Sequence, residues 1–424
     1  INYVANNQYN LSNQKVYPFL SSRFEVDNVV YVPVSPSDRT CDVVDCNYNQ
    51  TISDIEVGSI VVNKGVQLKV FDINPYSFYN QSAKNIKINN NGSVGDYAFY
   101  NCRLSEKLEI GKDVTTIGSY AFQNNKRLKQ LILPDNISGL GQYAFSGCNE
   151  LEKVYIGKGI PVLPEYVFSD CSSLPEISIP SNVASIEDYA FSGCSSLSDV
   201  TIEQSEEETM ADNVLKLGSN GSNPIFADCP LDEIYIGRKL NYSTASAKGY
   251  SPFYRNTSLR AVTITDAETE IYDNEFYGCS NLQSFSCGDG VTKIGNWAFS
   301  GCSAMKSYSS GTHVAEIGAE AFSDCTGLTS FTTLAAVPPT CGNQALDDIN
   351  KWECTLKVPA ESVDDYQAAP QWKEFFFIEG TTGDDETTAI EDIVLDQDYK
   401  ISISADGITI DGVADMPVSV YTID

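Results

Sequence analysis

Eleven copies of one short motif, most of them 23 residues apart, run through the chain. The clearest read VGDYAFYNC from Val94, IGSYAF from Ile117, LGQYAFSGC from Leu140, IEDYAFSGC from Ile186, IGNWAFSGC from Ile294 and IGAEAFSDC from Ile317, and the motif phenylalanine recurs from Phe78 to Phe322. A fixed period of this size marks a solenoid, a stack of similar coils that each pack only on their neighbours. This constrains the fold more than any other feature. It also moves the question of function from a pocket to a surface.

The copy IEDYAFSGCSSLSDVTI shows what one coil needs. Leu197-x-x-Val200-x-Ile202 has the strand spacing of a leucine-rich repeat. Side chains alternate along a strand, so Val200 and Ile202 face inward and Asp199 and Thr201 outward. Leu174, Ile177, Ile179 and Leu151, Val154, Ile156 keep the same spacing. Stacked at about 4.8 Å per strand, eleven such strands make a parallel sheet roughly 50 Å long. The opening Ile and the Tyr and Phe of YAF are expected to fill the space behind that sheet, and the small Ala between them suits close approach of coils. After the YAF turn eight copies carry Cys, from Cys102 to Cys325, and two carry Asn, Asn125 and Asn256. Both residue types can serve an internal turn, so a ladder of buried thiols and amides is expected. Disulfides between rungs are the rival reading, which Asn at two rungs would leave with unpaired partners. The coil-length spacing does not suit zinc, which favours paired CxxC clusters.

These copies resemble the BspA-like, treponemal-type leucine-rich repeats, whose pattern is roughly IGxxAFxxCxxLxxVxIPxxV. The resemblance covers about residues 59–380, and Pro134 and Pro180 occupy the proline position after the strand. It implies a leucine-rich-repeat solenoid: a right-handed coil with a parallel β-sheet on its concave face, mostly 23-residue repeats and β-rich caps. The family is found mostly on bacterial surfaces, notably in Bacteroidetes, spirochaetes and Firmicutes, and in some parasitic protists. Its members are linked to adhesion, matrix-protein binding and host-cell contact, so the resemblance implies a secreted or cell-surface protein. The match is interrupted between Phe191 and Phe253 by extra segments near EQSEEETMADNVLKLGSNGSN and GRKLNYSTASAKGYS, and the later strands turn Ser/Thr-rich.

Four stretches follow. Residues 1–58 lack the motif, and FEVDNVVYVPVSPSDRTCDVVDC alternates like a β-hairpin that caps the first coil; Cys41 and Cys46 within it could pair or stay free. Residues 59–336 are the repeats. Residues 337–380 resemble the closing cap of Bacteroidetes members, with TLKVP as a last strand, a short helix from Ser362 to Tyr366, and Trp372 with Phe375–Phe377 covering the core. Residues 381–424 are an acidic linker and part of a β-module that resembles a sorting or attachment module, shortened at Asp424. Ile1 in place of Met suggests removal of an upstream segment.

The 424 residues carry a formal net charge of −30. Such a chain cannot neutralise phosphates, which argues against nucleic acid and anionic membranes as partners. A uniformly acidic surface also favours a soluble monomer. No run of eighteen apolar residues could form a transmembrane helix. There is one histidine, His313, and no HExxH, GxSxG, P-loop or dinucleotide-binding glycine pattern. No catalytic residue, cofactor or metal site is therefore assigned, and acidic runs such as Glu206–Glu208 read as solvated charge.

Binding is instead expected on the outward strand positions, because solenoids use extended concave surfaces. The partner-binding candidates are Ile132, Lys153, Tyr155, Glu176 and Tyr235, with Tyr favoured as an anchor. The leading expectation is an adhesion or recognition module that binds a host or matrix protein, less readily a glycan, through this face or the loop at 203–222. A structural spacer that presents other domains is the alternative, and an enzyme the weakest one.

Overall fold

The computed structural model describes residues 22–46, 53–103, 105–204, 214–218, 225–242, 251–381, 400–404 and 407–411. The described residues up to Gly380 form one unit. A second unit begins at Thr381 and contains the antiparallel strands Lys400–Ser404 and Gly407–Asp411.

The first unit is a solenoid. Its front is built from short strands with alternating burial, as in Glu176–Ile179, where Ile177 and Ile179 point inward. These strands form sheets of three, two and nine members, the last parallel from Glu176–Ile179 through Thr355–Pro359. The three are Asp54–Val57, Asn85–Ile88 and Lys107–Ile110, and the two are Gln130–Ile132 and Lys153–Tyr155. The nine run from Glu176–Ile179 to Phe377–Thr381. Register advances one coil at a time, with Val200 opposite Ile177 on one side and Ile234 on the other. The break between the two- and nine-stranded sheets has a local cause. In neighbouring coils the residue entering the strand donates its N–H to the coil before, as Glu152 does to Lys129 and Ser198 to Pro175. Pro175 holds that position at the break and has no N–H to give.

A second ladder, not expected from the sequence, runs behind the first. The motif isoleucine and the residue before it form two-residue parallel strands: Thr116–Ile117 pairs with Ser93–Val94 and with Gly139–Leu140. The glycine that follows is required by the close approach of the coils. A Cβ on Gly141 would lie 2.2 Å from the backbone nitrogen of Ser119.

Between the ladders the phenylalanines stack without a gap from Phe78 to Phe322, with ring centroids 4.8–6.5 Å apart. The widest step, Phe226 to Phe253, spans one of the interruptions. The tyrosine of the motif behaves differently from expectation. Tyr97, Tyr120, Tyr143, Tyr166 and Tyr189 sit at φ of 57–58° and are only half-buried. The left-handed turn swings each ring out of the core, and the rings stack on one another 4.5–4.8 Å apart.

The thiols form the expected ladder. Each donates to the carbonyl of the phenylalanine one coil earlier: Cys171 to Phe145 at 3.4 Å, Cys194 to Phe168 at 3.1 Å and Cys302 to Phe276 at 3.2 Å. Asn125 takes the same place with its amide, reaching Phe99 O at 2.9 Å. None of the thirteen cysteines forms a disulfide, Cys41 and Cys46 included. Burial pushes the Cys148 thiol up to about 12.

At the start, Phe24–Val26, Val29–Ser35 and Thr40–Cys46 pair antiparallel, and the last joins the solenoid alongside Val66–Ile73. At the end, Thr355–Pro359 leads into the helix Val363–Ala368. Tyr366 and Trp372 are buried there and donate to the carbonyls of Ala335 and Pro339. Phe375 is buried with them, whereas Phe376 and Phe377 are exposed, so the aromatic run closes the core through its first member only. One further strand, Phe377–Thr381, follows TLKVP in the sheet.

Candidate functional site

The alternation that turns Leu131 and, in part, Val154 into the core turns Ile132 and Tyr155 outward, where they are 52% and 51% exposed. They stand directly opposite each other in the ladder, with Gln130 and Lys153 opposite one another two residues earlier. Glu176 lies on the next strand, across the Pro175 break. Tyr235 does not join this group. It lies along the row Ser178–Thr201–Tyr235, three strands from Tyr155. The five candidates therefore form an apolar pair with two flanking charges, and a separate tyrosine on the same face. Burial raises the Tyr235 hydroxyl above its ordinary value.

Charge on this face is uneven. Glu176, Asp199 and Glu233 occupy consecutive register positions, an arrangement that is unfavourable for like charges. Arg260 relieves one end, at 2.9 Å from Glu233 and 3.0 Å from Asp232. Glu203 accepts from Ser178 at 2.6 Å. Towards the other end the outward positions become Ser284, Ser307 and Ser330, beside Ser286, Ser309 and Thr332.

Sequence reasoning missed a set of buried charges beside the interruptions. Arg238 is 1% exposed and donates to the carbonyls of Ser181 and Val183 at 2.7 Å and of Pro180 at 3.0 Å. Glu268 accepts from the N–H groups of Leu240 and Thr269, and Glu275 from that of Tyr272. Burial, reinforced by Glu268, pushes the Glu275 carboxyl up to about 8. The one visible signal was Glu275 itself, a charge where the other copies carry Ala or another uncharged residue. His313 is exposed, with Nδ1 3.0 Å from Thr312 Oγ1 and from Asp289 O. Among the described residues no three His, Cys, Asp or Glu side chains could hold a metal ion. Most of the 203–222 loop lies outside the described residues.

The two parallel ladders, the phenylalanine stack and the thiol ladder define a leucine-rich-repeat solenoid. A model of the BspA type leucine rich repeat region matches residues 59–173, 92–216 and 248–349, more than half of the chain, which belongs to that family. Leucine-rich-repeat solenoids are generally protein-binding and typically non-catalytic, and BspA-like members are bacterial surface proteins. Among solved structures, the chain is similar to a leucine-rich repeat protein from Bacteroides ovatus, at 22% identity and TM-score 0.43, covering 85% of this chain and 100% of that one. It is also similar to a leucine rich cell surface protein from Faecalibacterium prausnitzii, at 18% identity and TM-score 0.36, covering 87% and 97%. The pneumococcal vaccine antigen PcpA is similar at 15% identity and TM-score 0.38, covering 87% and 100%. No curated protein matches.

Proposed function

We propose that the chain is a secreted or cell-surface recognition module that binds a host or matrix protein, less readily a glycan, through the front sheet. The observation that carries this is the half-exposed pair Ile132 and Tyr155, held opposite each other on a hydrogen-bonded sheet, with Tyr235 further along. Large apolar side chains fixed on rigid strands and open to water are what binding hot spots use. No helix among the described residues is long and apolar enough to cross a membrane. A spacer role is favoured by the other end of the face, where the outward residues are small hydroxylated ones with no anchor.

The test is binding of the purified chain to an array of matrix proteins, mucins and host glycans at physiological salt. A saturable hit that Tyr155→Ala with Tyr235→Ala weakens, at unchanged melting, supports the recognition module. These side chains are outward, so the pair of substitutions should change stability by no more than about 0.5 kcal/mol each. A blank array with well-folded protein turns the reading to a spacer.

A further inference from the structure

We propose that the segment of the front face between Tyr155 and Tyr235 takes an extended cationic strand of a protein partner, with Lys or Arg in the notch between the two tyrosines; this rests on the recognition reading above. Ser178, Thr201 and Tyr235 are in register, and Tyr155 stands 23 residues before Ser178 on the strand across the Pro175 break, so two large rings lie at the ends and two small hydroxylated side chains between them. Two paired strand steps of about 4.8 Å and one coil step across the break separate the rings by roughly 14 Å. An extended peptide advances about 3.3 Å per residue, so residues i and i+4 reach both rings while i+2 sits over Ser178 and Thr201.

The chemistry around that central position selects a cation. Glu176 and Asp199 lie two residues earlier on the strands of Ser178 and Thr201, so they project from the same face beside the notch. Glu203, bonded to Ser178, closes the other side. Among the described residues neither Glu176 nor Asp199 forms an ion pair, whereas Glu233 and Asp232 already share Arg260. A guanidinium or ammonium there meets carboxylates on both flanks, the environment that favours it most. Lys153 stands one strand before Glu176 and Arg260 one strand beyond Glu233, so cations bound the acidic stretch and fix its length at three strands.

The probe is a fluorescent peptide with Leu at i and i+4 and Arg at i+2 in a Gly/Ser background, titrated with the full chain by polarisation. Companion peptides carry Glu at i+2, or Ser at i and i+4. Binding of the Arg peptide should be at least about tenfold tighter than that of the Glu peptide, should weaken with added salt, and should invert in preference in Glu176→Lys with Asp199→Lys. Both residues are exposed, so that variant should keep the melting temperature. Thr201→Trp, which fills the notch, should abolish binding. Absence of binding by the Arg peptide, equal binding of the Arg and Glu peptides, or indifference to the charge reversal would overturn the proposal. A protein hit from the array that needs Tyr155 and Tyr235 but ignores salt and charge reversal would leave the recognition reading standing and remove the cationic strand.

Discussion

The coils between Val94 and Ile202 and those between Glu203 and Phe276 solve the same packing problem by different means. In the first stretch one residue type recurs for each need. A thiol or amide caps the preceding phenylalanine carbonyl, and a tyrosine in the left-handed turn stacks on the tyrosine before it. In the second stretch the spacing lengthens and Asn274 replaces the stacked tyrosine. Buried charges then join the coils: Arg238 gathers three carbonyls, and Glu268 reaches back to the N–H of Leu240. A regular coil is stabilised by resembling its neighbours. A coil next to an insertion has lost that match, and its orphaned backbone groups need partners found once each. The phenylalanine stack passes through both stretches, so the difference lies in the backbone-facing contacts and not in the apolar core.

The largest effects should come from breaking each stretch at its own joint. Arg238→Met strands the carbonyls of Ser181 and Val183, while that of Pro180 keeps the Val183 N–H; at about 1–3 kcal/mol for each one buried without a donor the total is roughly 2–6 kcal/mol. Phe145→Ala or Phe191→Ala in the regular coils should cost roughly 3–5 kcal/mol through lost burial and the cavity left behind. Denaturant midpoints measure the sizes, and hydrogen exchange separates the causes. Arg238→Met should expose the amides around 180–184 before the rest, while Phe145→Ala should loosen the coils on either side of it. A loss under about 1 kcal/mol for either would remove the role assigned to that residue.

Next in size is a pH dependence confined to the interrupted stretch. Glu275 lies buried beside Glu268 and near Tyr242, Tyr272 and Glu270, with Lys239 closer to Glu268, and its carboxyl is pushed from 4.5 up to about 8. The unfolded chain gives up this proton near 4.5 and the folded chain only near 8, so between those values the unfolded state is the one that gains by ionising. The contribution of protonated Glu275 is therefore complete below about pH 4.5 and is lost as pH rises to about 8, beyond which it is flat. At about 1.4 kcal/mol per pH unit the loss amounts to several kcal/mol. Glu275→Gln should flatten stability over this window, and Glu275→Ala, which restores the commonest residue of the other copies, should do the same. Thermal melts at pH 5 and pH 8 compare them, and an unchanged slope in Glu275→Gln would place the titration elsewhere.

Much of the regular stretch is legible in the chain because its causes repeat. The spacing of Leu197, Val200 and Ile202 gives the strand and its inward face, and Cys alternating with Asn at one rung points to an internal hydrogen bond and away from a disulfide. What stays hidden is the conformational or the unique. Nothing in YAF says that its first ring sits on a left-handed residue and leaves the core. Nor does the motif isoleucine show that it forms a second ladder. Arg238 and Glu268 look like surface charges because their partners are backbone groups some 30 to 60 residues away. The outward positions of the front follow from alternation alone, which is why Ile132 and Tyr155 could be named. Their pairing needed the register, and the break beside them needed Pro175 to be seen as a missing donor.

The smallest expected effect separates the two explanations of the thiol ladder. If Cys171 matters as a donor to Phe145 O, at 3.4 Å, then Cys171→Asn should be tolerated within about 1 kcal/mol, because Asn125 already makes the equivalent contact two rungs away at 2.9 Å. Cys171→Val keeps the apolar volume, removes the donor and should cost more, about 1–2 kcal/mol. If the rung served only as apolar filler the order would reverse, with Val harmless and Asn disruptive. The same geometry governs reactivity. The thiol is fully buried and raised well above its ordinary value by that burial, and only the thiolate attacks a disulfide reagent. The rungs should therefore react with such a reagent at the rate of unfolding, in the regular stretch more slowly than at Cys229, which is 6% exposed and borders the interruption. Equal rates at Cys171 and Cys229 would mean that the interrupted coils open no more readily than the regular ones.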